Sequence, residues 1–386
     1  MKQLPTIRQS FKVNYTYELR FTRALFAIDN PLLKSVYANC SSKPITTVVL
    51  IDDGVTYHHK DLVSQIETYA KTYSKQFELR KILSLKGGEQ SKADNEVLEE
   101  ALSVVNDFQV CRHSFIIAIG GGAFIDTVGY AASIAHRGVK LIRVPTTVLA
   151  QNDAAVGVKN GINHFGKKNF LGTFTVPYAI INDFDFLKTL DQRDWISGIA
   201  EAIKVALIKD ASFFEFIEKN ALSLSKRDME PMSFVIYRCA ELHMQHIAEG
   251  GDPFESGSSR PLDFGHWAAH KLEQMTHYQL RHGEAVAIGI ALDITYAQMI
   301  GLISEDDKIR ILQVFKNIGF NLSIPFQNED EINELLLGIS EFREHLGGIL
   351  TITLLSDIGK KYDVNSIDDM MMREAIRERM ETEVYL

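Results

Sequence analysis

Residues 45–51 read Ile-Thr-Thr-Val-Val-Leu-Ile, a run too apolar and too β-branched to show either face to water. Such a strand must be buried on both sides, which calls for a parallel sheet sandwiched between helices. The pattern repeats along the first half of the chain. The first run ends at Asp52, Asp53 and Gly54, and a polar helical stretch extends from His59 to about Tyr73. A second strand is predicted over Leu79–Leu85, followed by helical spacing from Ala93 to Val105. Ser114–Ile119 reads as a buried strand ending in Gly120-Gly121-Gly122. Phe124–Ala135 reads as a helix, and Lys140–Val144 as a strand closed by Pro145. Strands alternating with helices predict an α/β fold built on a parallel sheet.

The second half changes character. After Asp183 most segments have helical spacing: Arg193–Lys209, Ala211–Leu222, Pro231–Glu249, His266–Met275, Gly283–Met299, Glu305–Ile318, Glu331–Leu337 and Met370–Glu383. The expectation is an α/β domain over residues 1–186 and a mostly α-helical domain over 187–386, joined near Asp183–Leu187. Ligands of open α/β sheets sit beyond the carboxyl ends of the strands, so a cleft between the domains is the expected site.

Composition narrows the function classes. With 46% hydrophobic and 24% charged residues the bulk of the chain is globular rather than disordered. No apolar run nears the roughly 20 residues that span a bilayer, and the N-terminus has no apolar signal core. Cys40, Cys111 and Cys239 are scattered and odd in number, which suits a reducing compartment without disulfides. A cytoplasmic protein is expected. Its net charge of −9 opposes nucleic acid and anionic membranes. A phosphate ligand would therefore need positive charge concentrated in a pocket.

Three local patterns carry chemistry. Gly121 and Gly122 follow a buried strand and open a helix, where a pyrophosphate can approach the backbone and the helix N-terminus. Asp126 lies one turn in, and Asp52 ends the first strand, where an acidic residue can hold a ribose. The GxGxxG fingerprint is absent, so the turn also fits a tight strand–helix connection with no ligand. The second pattern is His266 and His270, spaced i, i+4, with His282 16 residues after His266 and Glu201 on another helix. Imidazoles and a carboxylate with open positions suit a catalytic divalent ion. Spacing alone fits one core and one surface histidine better, and His113, His243 and His246 are read as structural or surface. The third pattern is basic: Lys159, Lys167, Lys168 and Asn169 in a loop-prone stretch, Arg137 at a helix end, Arg260, and Lys204 one turn after Glu201 in an apolar helix.

These segments, GGGAFIDTVGYAA, AHRGVKLIRVPTT, NDAAVGVKNGINHFGKKN, GIAEAIK, DFGHWAAH and RHGEAVAIG, stand in the order found in the sugar phosphate cyclases, and the chain resembles that family, typified by 3-dehydroquinate synthase. The resemblance implies NAD and a divalent metal, zinc or else cobalt, and a small sugar phosphate as ligand. Carried over, Glu201, His266 and His282 are the metal ligands. Asp52, Glu89, Lys92, Gly121, Gly122, Asp126, Thr146 and Thr147 match NAD-contacting positions. Arg137, Asp153, Lys159, Lys168, Asn169, Lys204, Arg260 and His270 match the substrate pocket. A homodimer is also implied.

Departures from the pattern bear on the substrate. The dehydroquinate synthases carry Arg-x-x-Leu-Asn-x-Gly-His-Thr, whereas this chain has a form one residue shorter, with Asp263 for Asn and Trp267 for Thr. Near the C-terminus, Arg343-Glu344-His345 stands where those enzymes place a pocket lysine. Losing a lysine and gaining Asp263 disfavours a carboxylate substrate. GDPFE, RPLDFGHW and EHLGG are similar to cyclases of sedoheptulose 7-phosphate, the 2-epi-5-epi-valiolone synthases above all. The alternatives are 3-dehydroquinate synthase itself, a metal- and NAD-dependent alcohol dehydrogenase of the glycerol dehydrogenase type, and a non-catalytic NAD-binding protein.

Overall fold

The computed structural model describes residues 6–38, 43–93, 95–165, 167–254 and 261–381. Ten strands lie among them: β1 (Glu18–Thr22), β2 (Ile45–Asp52), β3 (Phe77–Leu85), β4 (Phe115–Gly120), β5 (Lys140–Pro145), β6 (Lys159–His164), β7 (Lys167–Phe174), β8 (Ala179–Asp183), β9 (Ile352–Asp357) and β10 (Lys360–Val364). Six form one sheet in the order β1-β8-β5-β4-β2-β3, and every pairing is parallel. Along β2 the side chains alternate between two cores. Val49 and Ile51 pack under the Leu32–Ala38 and Leu62–Thr72 helices. Val48 and Leu50 pack under the Asn95–Asp107 and Gly122–Ile134 helices. This is the two-sided burial that the apolar runs demand.

A third core takes in Val148 and then runs from Leu187 to Ile376. At its centre the His282–Met299 helix is buried on almost every side, as expected of a helix apolar all round. No helix among the described residues is long and apolar enough to cross a membrane.

Several elements differ from the sequence reading. β1 and β8 extend the sheet; β1 is a short edge strand paired on one side only, which leaves a weak pattern. The stretch expected as a loop around Lys159–Asn169 is the antiparallel β6–β7 hairpin. A second hairpin, β9–β10, interrupts the helical half. The helix expected over Arg193–Lys209 breaks at Gly198 into Gln192–Ser197 and Ile199–Lys209. A Cβ on Gly198 would stand 2.3 Å from the Leu149 nitrogen, so the break lets the two domains touch.

Candidate active site

The adjacent strands β2, β4 and β5 end in register, with Ile51 opposite Ile119 and Gly120 opposite Pro145. Asp52, Gly121, Gly122, Thr146 and Thr147 are thereby lined along one sheet edge. Asp52 caps the following helix, its Oδ1 accepting the Gly54 N–H at 2.9 Å. Burial pushes the Asp52 carboxyl up against its backbone donors. Gly121 caps the Gly122–Ile134 helix with an extended backbone. A Cβ on Gly87 would overlap the Asp52 carboxylate at 2.0 Å, whereas one on Gly121 would meet only the Thr147 methyl at 3.5 Å. The Gly121 amide end is thus an open cradle beside a buried carboxylate, which fits a pyrophosphate and a ribose. Lys92, almost fully buried, donates to Asp126 at 2.5 Å and to Asn169 at 2.9 Å. Burial opposes its charge, yet Asp126 and then Glu89 hold the ammonium above the usual lysine range. Glu89 itself is exposed on the loop after β3.

Facing this edge are the starts of three helices. Glu201 is in the first turn of the Ile199–Lys209 helix. His266 and His282 open the His266–Met275 and His282–Met299 helices. One ligand atom from each of the three lies within 4.8 Å of the others. His282 Nε2 is 3.5 Å and His266 Nε2 3.8 Å from Glu201 Oε1. Glu201 is fully buried, and neither of its oxygens takes a well-formed hydrogen bond, although the Lys204 ammonium lies against one. A buried carboxylate left so, with two imidazoles turned to it, fits a divalent ion with open positions. His266 is neutral: burial, then Lys204 and His282, push it well below the imidazole range.

Around the triad stand the anion-binding candidates. Lys204 is nearly fully buried; burial works against its charge, but Glu201, Asp153 and Asp263 hold it above the ordinary lysine range. Asp153, on the turn after β5, has His243 Nδ1 3.0 Å from its Oδ1. Burial would raise Asp153, but His243, Lys204 and His282 hold it well below the carboxylate range. His270 rings pack 5.4 Å from His266 and 6.1 Å from His282. Burial pushes His270 down to about 4. Lys159 and Lys168 lie on the β6–β7 hairpin, Lys168 donating to Glu273 and Lys159 near His246, with Asn169 accepting from Lys92 in a left-handed conformation at φ 51°.

Three residues that the sequence reading passed over belong to this cluster. Glu273 is buried, accepts from Lys168 at 2.7 Å and stands 3.4 Å from His282 Nδ1. It lies at i+7 from His266 and i+3 from His270, a one-face spacing legible in the sequence. His243, read as structural or surface, faces Asp153. Asp293 is fully buried behind the His266 turn.

Arg137 is exposed at the far end of the Gly122–Ile134 helix, about 20 Å from the glycine turn by helix rise; one chain does not bring it to the cluster. Trp267, one of the departures read as bearing on the substrate, is 2% exposed, and its indole turns inward to Asp293. Asp263 is close enough for its charge to act weakly on Lys204 and His270. Arg260 lies outside the described residues, as do Cys40 and the side chain of His345.

Two family models match the chain and meet at residues 197/198. A family model described as 3-dehydroquinate synthase N-terminal matches residues 82–197, and one described as 3-dehydroquinate synthase C-terminal matches 198–338. A 3-dehydroquinate synthase of Buchnera aphidicola subsp. Baizongia pistaciae is 37% identical over 231 residues, 60% of this chain. The chain spans 64% of that protein, just under two thirds. Among solved structures, ValA, a 2-epi-5-epi-valiolone synthase from Streptomyces hygroscopicus subsp. jinggangensis 5008 with NAD+ and Zn2+ bound, superposes with a TM-score of 0.87. It is 28% identical, and the match covers 98% of this chain and 100% of that one. A 2-deoxy-scyllo-inosose synthase complexed with carbaglucose-6-phosphate, NAD+ and Co2+ superposes at 0.77 and is 25% identical, covering 94% of this chain and 96% of the other.

Proposed function

The chain belongs to the 3-dehydroquinate synthase family of sugar phosphate cyclases, carbon–oxygen lyases acting on phosphates, and from that premise we propose that its substrate is sedoheptulose 7-phosphate, closed to a C7 cyclitol of the 2-epi-5-epi-valiolone type. One observation carries the choice of substrate: the Asp263 carboxylate stands within the field of Lys204 and His270, so a substrate carboxylate there would be repelled. The likeness to ValA over nearly the whole of both chains supports the same reading. The second reading, 3-dehydroquinate synthase acting on 3-deoxy-arabino-heptulosonate 7-phosphate, is favoured by the names of the sequence relatives.

Asp52, Gly121, Gly122, Thr146 and Thr147 would hold NAD, and Glu201, His266 and His282 the ion. Bound there, NAD would take up and return a hydride at one ring carbon, while the ion would acidify the hydroxyl it holds. The protein's own groups do the rest. Lys204, kept charged, donates to the oxygen of that carbon and polarises it once it is a ketone. Asp153, kept ionised, accepts from a neighbouring hydroxyl. Ketone formation acidifies the adjacent C–H. Elimination then breaks that C–H bond and the C–O bond to phosphate; the electron pair forms C=C, and the phosphate, acting as base, carries the proton away. Lys159, Lys168, Asn169, Arg260 and His270 bind the departing anion. Ring opening and an intramolecular aldol addition close the carbocycle. The same reading carries a homodimer, which sedimentation velocity would check.

The test is phosphate release by metal-loaded protein with catalytic NAD+, offered each heptulose phosphate separately, with NMR of the product. Turnover of sedoheptulose 7-phosphate alone is expected. Turnover of the carboxylated sugar alone would replace this reading with the second. NADH accumulating stoichiometrically with neither phosphate released would point to an alcohol dehydrogenase.

A further inference from the structure

His266 is held by the peptide in front of it. Its Nδ1 lies 3.2 Å from the Phe264 carbonyl oxygen, an acceptor only, so Nδ1 carries the proton and Nε2 presents its lone pair toward Glu201. The other side of that same peptide is the Gly265 N–H, which donates to Asp293 Oδ2 at 3.0 Å. A peptide group is rigid and planar, so whatever fixes the N–H also fixes the C=O. Asp293 Oδ1 accepts the Trp267 indole N–H at 2.8 Å. One buried carboxylate therefore grips the residues on both sides of His266.

The backbone leaves little slack around this grip. Gly265 is left-handed at φ 78°, and a Cβ there would stand 2.7 Å from the Ile290 nitrogen. Gly289 lets the His282–Met299 helix approach the Gly265 carbonyl, where a Cβ would come within 2.1 Å. Asp293 is fully buried, and among the described residues no cation pairs with it. Burying a carboxyl for two uncharged donors is costly and is not what packing alone would select.

We propose that Asp293 is a positioning residue of the metal centre, acting on His266 through the Phe264–Gly265 peptide, with Trp267 as the brace that holds Asp293 in place. By accepting from the N–H it also polarises the C=O, which strengthens the bond to Nδ1 and makes Nε2 a better donor to an ion. This differs from the arrangement at His282, where Glu273 faces the imidazole directly.

The inference rests on the metal reading of Glu201, His266 and His282, and is tested without substrate. Co2+ affinity is measured by chelator competition, together with the visible Co2+ spectrum and the melting temperature of metal-free protein, for wild type, D293N and W267F. An amide at 293 can accept from one donor but sets an N–H against the other. Affinity should fall about tenfold or more in D293N, the range seen when a ligand's outer partner is lost, and the Co2+ bands should shift. W267F keeps the Gly265 bond and should shift the same bands with a smaller loss. Wild-type affinity and spectrum in D293N, with only a lowered melting temperature, would overturn the proposal and leave Asp293 a packing residue. If D293N does not fold, W267F decides by the same criterion. Wild-type protein that binds no Co2+ would sink the metal reading instead.

Discussion

At the residue scale the site is a set of buried charges that balance one another, and single substitutions should unbalance them in distinct ways. Lys204 is held charged by Glu201, Asp153 and Asp263. Lys204→Ala should lower turnover about 10²- to 10³-fold, as loss of a charge-stabilising donor does, with metal content unchanged by elemental analysis. Wild-type turnover in that variant would remove Lys204 from the mechanism. His246 gives a pH signature away from the metal ligands. Burial and the neighbouring Lys209, His243, Lys361 and Lys159 push it from 6.5 to about 4. The unfolded chain takes up this proton first, so the stability tied to His246 is present above about pH 6.5 and is lost as pH falls through about 4. NMR should show the His246 imidazole, like that of His270, staying neutral to about pH 4. His246→Gln should remove that signal and flatten the acid limb of the stability curve.

At the element scale, glycines decide where backbones may meet, and two of them separate folding from binding. A Cβ on Gly121 meets nothing closer than 3.5 Å, whereas one on Gly87 overlaps Asp52 at 2.0 Å. Gly121→Ala should therefore fold with a near-native melting temperature yet bind NAD+ at least tenfold more weakly by calorimetry, because the methyl fills the space a pyrophosphate needs. Gly87→Ala should lose both, at a cost of about 1–3 kcal/mol for overpacking. Equal NAD+ affinity in Gly121→Ala and wild type would argue against a dinucleotide at this turn. The elements that carry the cradle were legible because they repeat a short period: β2, β4 and β5 are apolar runs ending in turn residues. β6–β7 was not, since Lys159–Asn169 alternates weakly and its pairing forms only in the folded chain.

At the scale of the whole molecule, β7 brings Lys168 to Glu273 of the helical domain, and Glu273 in turn faces His282. Metal binding should thus be felt by the entire fold. Zn2+ at about 100 times its Kd should add about 2.7 kcal/mol to stability, read as a higher melting temperature that EDTA reverses. No shift with bound zinc would mean that the ion does not favour the folded state. The fold class and the two-domain plan could be read from the chain because strand and helix periods and glycine turns are local, set by neighbours a few residues apart. The three candidate ligand residues could be named only through the family resemblance of the segments that hold them, because spacing alone fits one core and one surface histidine better. That their side chains converge, and what stands behind them, could not be read from the chain. Asp293 meets Trp267 across 26 positions, and Glu273 meets Lys168 across 105. Arg137, close in sequence to the glycine turn, is carried a helix length away from it. Pairings at such separations leave no period in the sequence; packing of the helices and the sheet selects them, and only the folded chain shows which were chosen.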